Sequence, residues 1–371
     1  MNKQRLLNVR SLLALVGFSL CMSFQSVAYA QRGAFPKSRD AWQWPFTADS
    51  IWNTPIGSGA FYKPANLPEA KGVGVDIQFL LRTKASDPER PVLKSAGWKN
   101  RSASNEPLGF SLRLPDGWTV PDTGPDNPYG LTPNCNFAIL LPDGDQVFQG
   151  VLITRVTPNG PVHLPEWLKY PNNRKIVSIR GDGLHGGGQG ASRMSALGGT
   201  IRLGEFTGNE PIRHVVKINP YAARVCYYSE DIPGFRWPAF AADSYASNTY
   251  KGTNPAVVMG SLLALPPDAT PEKLGIQTVP GRKLFYALQD YGTYFTEDAA
   301  WDVWDIIVER GVEIEFEKVH GFSMKSPTWR AEVNRLMTAL HVVVNNAPQS
   351  IGGGGKPRQP LAPPFANSRK R

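Results

Sequence analysis

Phe137-Ala138-Ile139-Leu140-Leu141, then Pro142-Asp143-Gly144-Asp145, then Gln146-Val147-Phe148-Gln149-Gly150-Val151-Leu152-Ile153: two short apolar runs flank a turn. Asp-Gly supplies the positive φ angles of a tight hairpin, so the runs predict a pair of antiparallel strands. The surrounding chain, from residue 31 to about 250, repeats this texture, with short apolar segments separated by Gly and Pro. A second hairpin is expected from Thr200 to Phe206 and from Ile212 to Ile218, joined by Thr207-Gly208-Asn209-Glu210-Pro211. Several such hairpins imply an antiparallel β-sandwich.

Beyond Asn254 the pattern changes. Pro255 to Leu265 and Gly281 to Asp290 read as helices that start at Pro and end near Pro or Gly. Glu297 to Arg310 is expected to be a third. Val312 to Lys318 alternates apolar Val312, Ile314 and Phe316 with Glu313, Glu315 and Glu317, the period of a strand. Thr328 to about Val344 places Val333, Leu336, Met337, Leu340 and Val344 on one helical stripe. Strands followed by helices in blocks predict an α+β fold, a β-sandwich backed by helices between residues 255 and 345.

Lys3, Arg5 and Arg10, an apolar stretch from Leu12 to Phe24 and the small-x-small run Ala28-Tyr29-Ala30 read as a secretory signal over residues 1 to 30. The apolar core is too short for a membrane span, and no later run approaches the required length. The body, 31 to 351, is expected to be one large domain. Residues 352 to 371 begin with four glycines, carry scattered prolines and lack a core, which predicts disorder. Of the net charge of +9, three positives lie in the leader and five in this tail, so the body carries about +1. A near-neutral body argues against nucleic-acid binding; the tail is suited to anionic surfaces. Cys135 and Cys226 either pair in an oxidising compartment or are buried thiols.

Gly181-Asp182-Gly183-Leu184-His185-Gly186-Gly187-Gly188-Gln189-Gly190-Ala191-Ser192 is the most unusual segment. Glycine at that density lets backbone approach a ligand closely, which nominates His185 and Gly187; the alternative is a surface loop. It lacks the Gly-Lys-Ser/Thr ending of a phosphate loop. His185-Gly186-Gly187-Gly188 matches a lipase oxyanion loop, but the chain has no Gly-x-Ser-x-Gly elbow. In the second hairpin, strand parity puts Arg202, Arg213 and Lys217 on one polar face suited to a polar sugar, and His214 among apolar neighbours. Trp237, Asp243 and Tyr245 combine a sugar-stacking ring with proton-transfer groups. On the helix expected from Glu297, Asp298, Asp302, Asp305 and Glu309 share a stripe, either a solvent edge or acids facing a cleft, with Asp302 the strongest candidate for catalysis. The five histidines form no metal-binding pair; Asp122 to Asn127 is the one weak calcium candidate, and no other cofactor is expected.

Phe46 to Ile56, Ser195 to Glu205, Arg236-Trp237-Pro238-Ala239 with Asp243-Ser244-Tyr245, and Glu297 to Asp302 resemble a group of secreted bacterial proteins found beside polysaccharide-degrading enzymes. The resemblance implies a jelly-roll-like sandwich and glycan chemistry, without assigning catalytic residues. The expected function is therefore cleavage of an extracellular polysaccharide by a glycoside-hydrolase mechanism. Asp302 and Asp243 supply acid and base or nucleophile, His185 and Tyr245 position substrate, and Arg202, Lys217, Trp237 and Gly187 hold it. Two alternatives stand beside it: a lyase acting on a uronate polymer, and a non-catalytic glycan-binding or envelope protein.

Overall fold

The computed structural model describes residues 35–123, 134–168 and 176–366; the leader, residues 124–127 of the calcium candidate and the last five residues lie outside them. The fold is α+β and mostly sheet. Its strands are β1 (Tyr62–Pro64), β2 (Gly72–Arg82), β3 (Glu89–Lys94), β4 (Pro107–Arg113), β5 (Phe137–Leu140), β6 (Gln146–Gly150), β7 (Val162–Leu164), β8 (Ile176–Ser178), β9 (Val216–Pro220), β10 (Leu262–Ala264), β11 (Thr293–Phe295), β12 (Val303–Glu309) and β13 (His341–Val343). Helices α1 (Ala222–Val225), α2 (Ala246–Thr249), α3 (Val279–Asp290), α4 (Val312–His320) and α5 (Pro327–Thr338) sit among them. Ten strands form one mixed sheet, in the order β1-β13-β10-β11-β9-β12-β2-β5-β6-β8; β4-β3-β7 form a second.

The β5–β6 hairpin forms in the expected place, with Phe137 opposite Gly150 and Leu140 opposite Val147. The sheets are not antiparallel throughout: β9 with β11, β12 with β2, β2 with β5, and β3 with β7 run parallel. The second expected hairpin does not form. Ile201 instead bridges Val308 in parallel, and β9 takes β11 and β12 as neighbours. Arg202, Arg213 and Lys217 consequently share no polar face.

Three helical expectations are corrected. Residues 255 to 265 end in β10, because Gly260 takes a φ of 79° where a side chain would strike the Arg236 carbonyl. Residues 297 to 310 contain β12, not a helix. Val303, Ile306, Ile307 and Val308 are β-branched and buried, and a continuous apolar run fits a strand covered on both faces as well as a helix. The final helix stops at Thr338, and Val342 and Val343 enter β13 between β1 and β10.

The strand expected at 312 to 318 is helix α4. Gly311 and Gly321 close its two ends with φ of 99° and 76°, angles that favour glycine. Glu313 and Glu315 occupy its first turn and Lys318 and His320 its last, matching the helix dipole. Val312 and Phe316 are buried one turn apart, while Ile314 is 68% exposed. Phe316 meets the rings of Phe206, Phe322 and Trp329.

The glycine-rich C-terminal segment, expected to be disordered, is ordered through Ala366. Gly57 and Gly59 donate their N–H groups to the carbonyls of Gly352 and Gly354 (both 2.9 Å), and Arg358 N–H reaches the Ile56 carbonyl (2.9 Å). Gly352 to Gly355 all have positive φ, from 67° to 86°, so backbone packs on backbone where side chains would collide. Farther on, the Arg39 guanidinium lies 4.0 Å over the Phe365 ring. Backbone pairing, absent from any compositional argument, orders the segment.

The helical assignment of α4 gives a direct test. Ile314→Asp should change stability by no more than about 0.5 kcal/mol, whereas Phe316→Ala should cost about 3–5 kcal/mol, read from denaturant midpoints. Equal, large losses would restore the strand.

Candidate active site

A cleft of about 880 Å³ opens where β2 and β12 begin and β9 and β11 end. Parallel register sets Gly72 beside Val303, Gly74 beside Asp305 and Asp76 beside Ile307, while β9 sets Asn219 beside Asp305. Partners in adjacent strands share a face, so Gly72, Gly74, Asp76, Asp305 and Asn219 all project to the cleft side. The two glycines are required there: a side chain on Gly72 would collide with the Trp301 ring, and one on Gly74 with the Asp305 carboxylate. On the opposite face Trp304 donates its indole N–H to Asn334 of α5 (3.1 Å).

Five carboxylates line the cleft: Asp76, Asp243, Glu297, Asp298 and Asp305. Asp76 is buried and accepts from Asn219 Nδ2 (3.0 Å), whose oxygen in turn accepts from Thr296 Oγ1 (3.0 Å). Glu297 forms the floor, 6% exposed, and accepts from Asn134 Nδ2 (2.8 Å) and Asn136 Nδ2 (3.2 Å). Burial, reinforced by Asp76, lifts its carboxyl from the usual range to about 8. Asp305 is raised to about 7 by burial and by Asp76. Asp298 accepts from the Ala222 N–H (2.7 Å) and from the Tyr245 hydroxyl (3.2 Å) and is raised to about 6, burial again the main cause. Asp243 accepts from the Tyr250 hydroxyl (2.6 Å) and is also raised by burial.

Trp98, Trp301 and Tyr245, each more than 40% exposed, form the aromatic part of the rim. Lys71, Lys325 and Arg330 form its basic part.

The glycine-rich loop serves this floor from beneath. Gly190 packs so closely on Glu297 that a side chain would meet its carboxylate, and the Gly190 N–H bonds to it. The Gln189 amide lies 3.0 Å from Lys217 Nζ and 3.1 Å from Glu297 Oε2, bridging the two. Gly187 is buried with φ 64°, a structural position away from the cleft lining. His185 is exposed beside the Phe240 ring, with centroids 5.4 Å apart, and does not line the cleft.

Of the catalytic residues expected from sequence, Asp243 and Tyr245 reach the cleft. Asp302 does not line it; its carboxylate pairs with Arg224 (2.8 Å). Of the expected binding residues, Trp237 packs half-buried against the core. Arg202 is buried in an ion pair with Glu309 (2.8 Å) and also donates to the Trp42 carbonyl. Lys217 is fully buried and donates to the Ser195 (2.8 Å) and Ala196 (2.9 Å) carbonyls. His214 is buried, paired with Glu205 at 3.1 Å, although residue 214 precedes the strand on which the parity argument rested.

Cys135 and Cys226 are both buried and are not joined in a disulfide; Cys135 Sγ lies 2.6 Å from Thr123 Oγ1. Asp122 accepts from the Arg101 and Ser102 N–H groups (3.1 and 3.0 Å) and the Ser102 hydroxyl (2.7 Å). Among the described residues no three acidic, His or Cys side chains converge as a metal-binding group, and no helix is long and apolar enough to cross a membrane. Comparison with protein-family profiles, with curated proteins and with solved structures gives no match.

The raised carboxyl groups make stability pH-dependent. Folded Glu297 keeps, up to about pH 8, a proton that the unfolded chain releases near pH 4.5. Its contribution is therefore full below pH 4.5 and lost as pH rises through 8, with a slope of up to about 1.4 kcal/mol per pH unit. Asp298 and Asp305 act with the same sign at lower pH. Denaturant midpoints should fall from pH 5 to 8, and Glu297→Gln should flatten the segment from pH 7 to 8. A curve that rises over this range would contradict the protonated floor.

Proposed function

We propose that the chain is a secreted carbohydrate-active enzyme that hydrolyses an extracellular polysaccharide in this cleft. The supporting observation is one arrangement: two carboxyl groups raised toward neutrality to different extents, Asp298 to about 6 and Asp305 to about 7, in a cleft rimmed by Trp98, Trp301 and Tyr245. Aromatic faces stack on sugar rings, and a carboxylate pair is the machinery of glycoside hydrolysis.

Among the described residues Asp305 has no hydrogen-bond donor on its carboxyl, leaving it available to a substrate oxygen. It gives its proton to the leaving glycosidic oxygen as the anomeric C–O bond breaks. Asp298, fixed by Ala222 and Tyr245, takes the proton of the attacking water, or attacks the anomeric carbon itself. Asp243 shares this acidic environment and keeps Asp298 from ionising too readily. A sandwich-like, jelly-roll-like stacking of the short sheet on the long one is part of the same reading, supported by Trp98, which follows β3 and reaches the cleft. The lyase alternative relied on Arg202 and Lys217 for a uronate, and both are occupied by protein groups.

Incubation with neutral and acidic polysaccharides should release reducing ends, with a rate that falls above about pH 7 as Asp305 loses its proton. Asp305→Asn and Asp298→Asn should each lower kcat by about 10²–10⁴-fold, while Asp302→Asn should leave it within a factor of a few. New ultraviolet absorbance from unsaturated sugar would replace this reading with the lyase; polymer binding without product from any substrate would replace it with adhesion.

A further inference from the structure

We infer that the polymer occupying this cleft carries an anionic substituent, a carboxylate or a sulfate ester, received at the rim by Lys71, Lys325 and Arg330; the inference rests on the assignment of the cleft as a glycan site.

The three cations come from different parts of the chain, Lys71 from the residue before β2, Lys325 from the approach to α5 and Arg330 from its first turns, and they line one cleft together. Arg330 Nη1 donates to the Lys71 carbonyl (3.0 Å), which ties two of them into one cluster. Lys325 lies close enough to Asp305 to lower its pKa. In a cleft with five carboxylates, none of these three forms an ion pair among the described residues. The acids turn to the floor and the cations to the mouth, so a bound sugar meets both.

This polarity suits a substituted sugar. Near neutrality Glu297 is mostly protonated and Asp305 partly so, so an anion at the mouth does not face a fully ionised cluster. A planar guanidinium donates two parallel hydrogen bonds to a carboxylate or sulfate, and the ammonium groups beside it add charge. The Trp301 ring, packed over Gly72 next to Lys71, is placed to stack on the sugar that bears the anion.

The test separates binding from cleavage. Quenching of tryptophan fluorescence would be titrated with three polymers: a neutral glucan, a uronate polymer and a sulfated galactan. Affinity for at least one anionic polymer should exceed that for the glucan by about tenfold or more and weaken as salt is raised. The triple variant Lys71→Gln, Lys325→Gln, Arg330→Gln should lose that preference by a similar factor. A preference for the uronate alone identifies a carboxylate, for the galactan alone a sulfate ester, and for both a site that reads charge only. Equal affinity for neutral and anionic polymers, or a preference that survives in the triple variant because the anion is held elsewhere, overturns the inference. Reducing ends, measured on the same samples, report on hydrolysis independently, so a cleft that prefers anions and cleaves nothing would refute the hydrolase reading and leave this one standing.

Discussion

The parallel pairing of β2 with β12, seven residues in register from Gly72–Val303 to Gln78–Glu309, is the constraint on which the rest of the structure depends. Side chains alternate strictly along a strand, so a slip of one residue would exchange the two faces of β12. Asp305 would then turn under α5 and Trp304 would turn into the cleft. The register also sets Gly72 and Gly74 opposite the start of β12, where the absence of side chains makes room for Trp301 and the Asp305 carboxylate. Backbone pairing, a packing requirement and the placement of a reactive group are thus one choice.

The cleft face of the same sheet carries an unusual amount of buried polarity. Lys217, Gln78, Asp76 and Asn219 project to it from β9 and β2, and Gln189 and Glu297 cover them. Burying a charge without partners is costly, and the structure offsets that cost in two ways. Lys217 meets two carbonyls and the Gln189 amide, though burial still depresses its pKa strongly. Glu297 is held largely neutral by the same burial and keeps donors on both oxygens. A network of this kind tolerates little rearrangement, because each displaced partner leaves another buried group unsatisfied. Rigidity of the floor follows from that intolerance.

In the strand-rich half the β5–β6 hairpin was legible, because the Asp143-Gly144 turn, with Gly144 at φ 71°, encodes it locally, whereas the parallel pairings were not. In the helical half α3 and the body of α5 stand where the sequence predicts helices, but β12 and α4 were misread. Through β12 and the loop before it, the acids at 298, 302, 305 and 309 repeat at helical spacing by coincidence, and a strand covered on both faces carries no alternation to contradict them. In α4 the alternation of Glu with apolar residues concealed a short helix of which only Val312 and Phe316 are buried; the glycines at both ends were the better signal. Asp243 and Tyr245 were found through composition, since acid and phenol near aromatic residues mark a polar surface. Glu297, Asp76 and Trp98 come together from segments far apart in the chain, and no local pattern brings them to one place. Gly72-Val73-Gly74-Val75-Asp76 held the one usable clue: two glycines at strand spacing signal something packed closely on that face.

In the hydrolysis proposed for this cleft, a proton donor must be buried enough to keep its proton and exposed enough to give it away, and two acids divide these demands. Glu297 satisfies the first so completely that it cannot satisfy the second: it is nearly inaccessible, and both of its oxygens already accept from asparagines. Asp305 is less buried. It borrows low dielectric from the same surroundings and repulsion from Asp76, yet takes no hydrogen bond from the described residues and faces the open volume over Gly74. Lys325, drawing its pKa back down, limits how firmly the proton is held, which a donor requires as much as the proton itself. Glu297 then acts as ballast, a neutral floor that lets an ionised Asp298 and a protonated Asp305 coexist where five full charges could not.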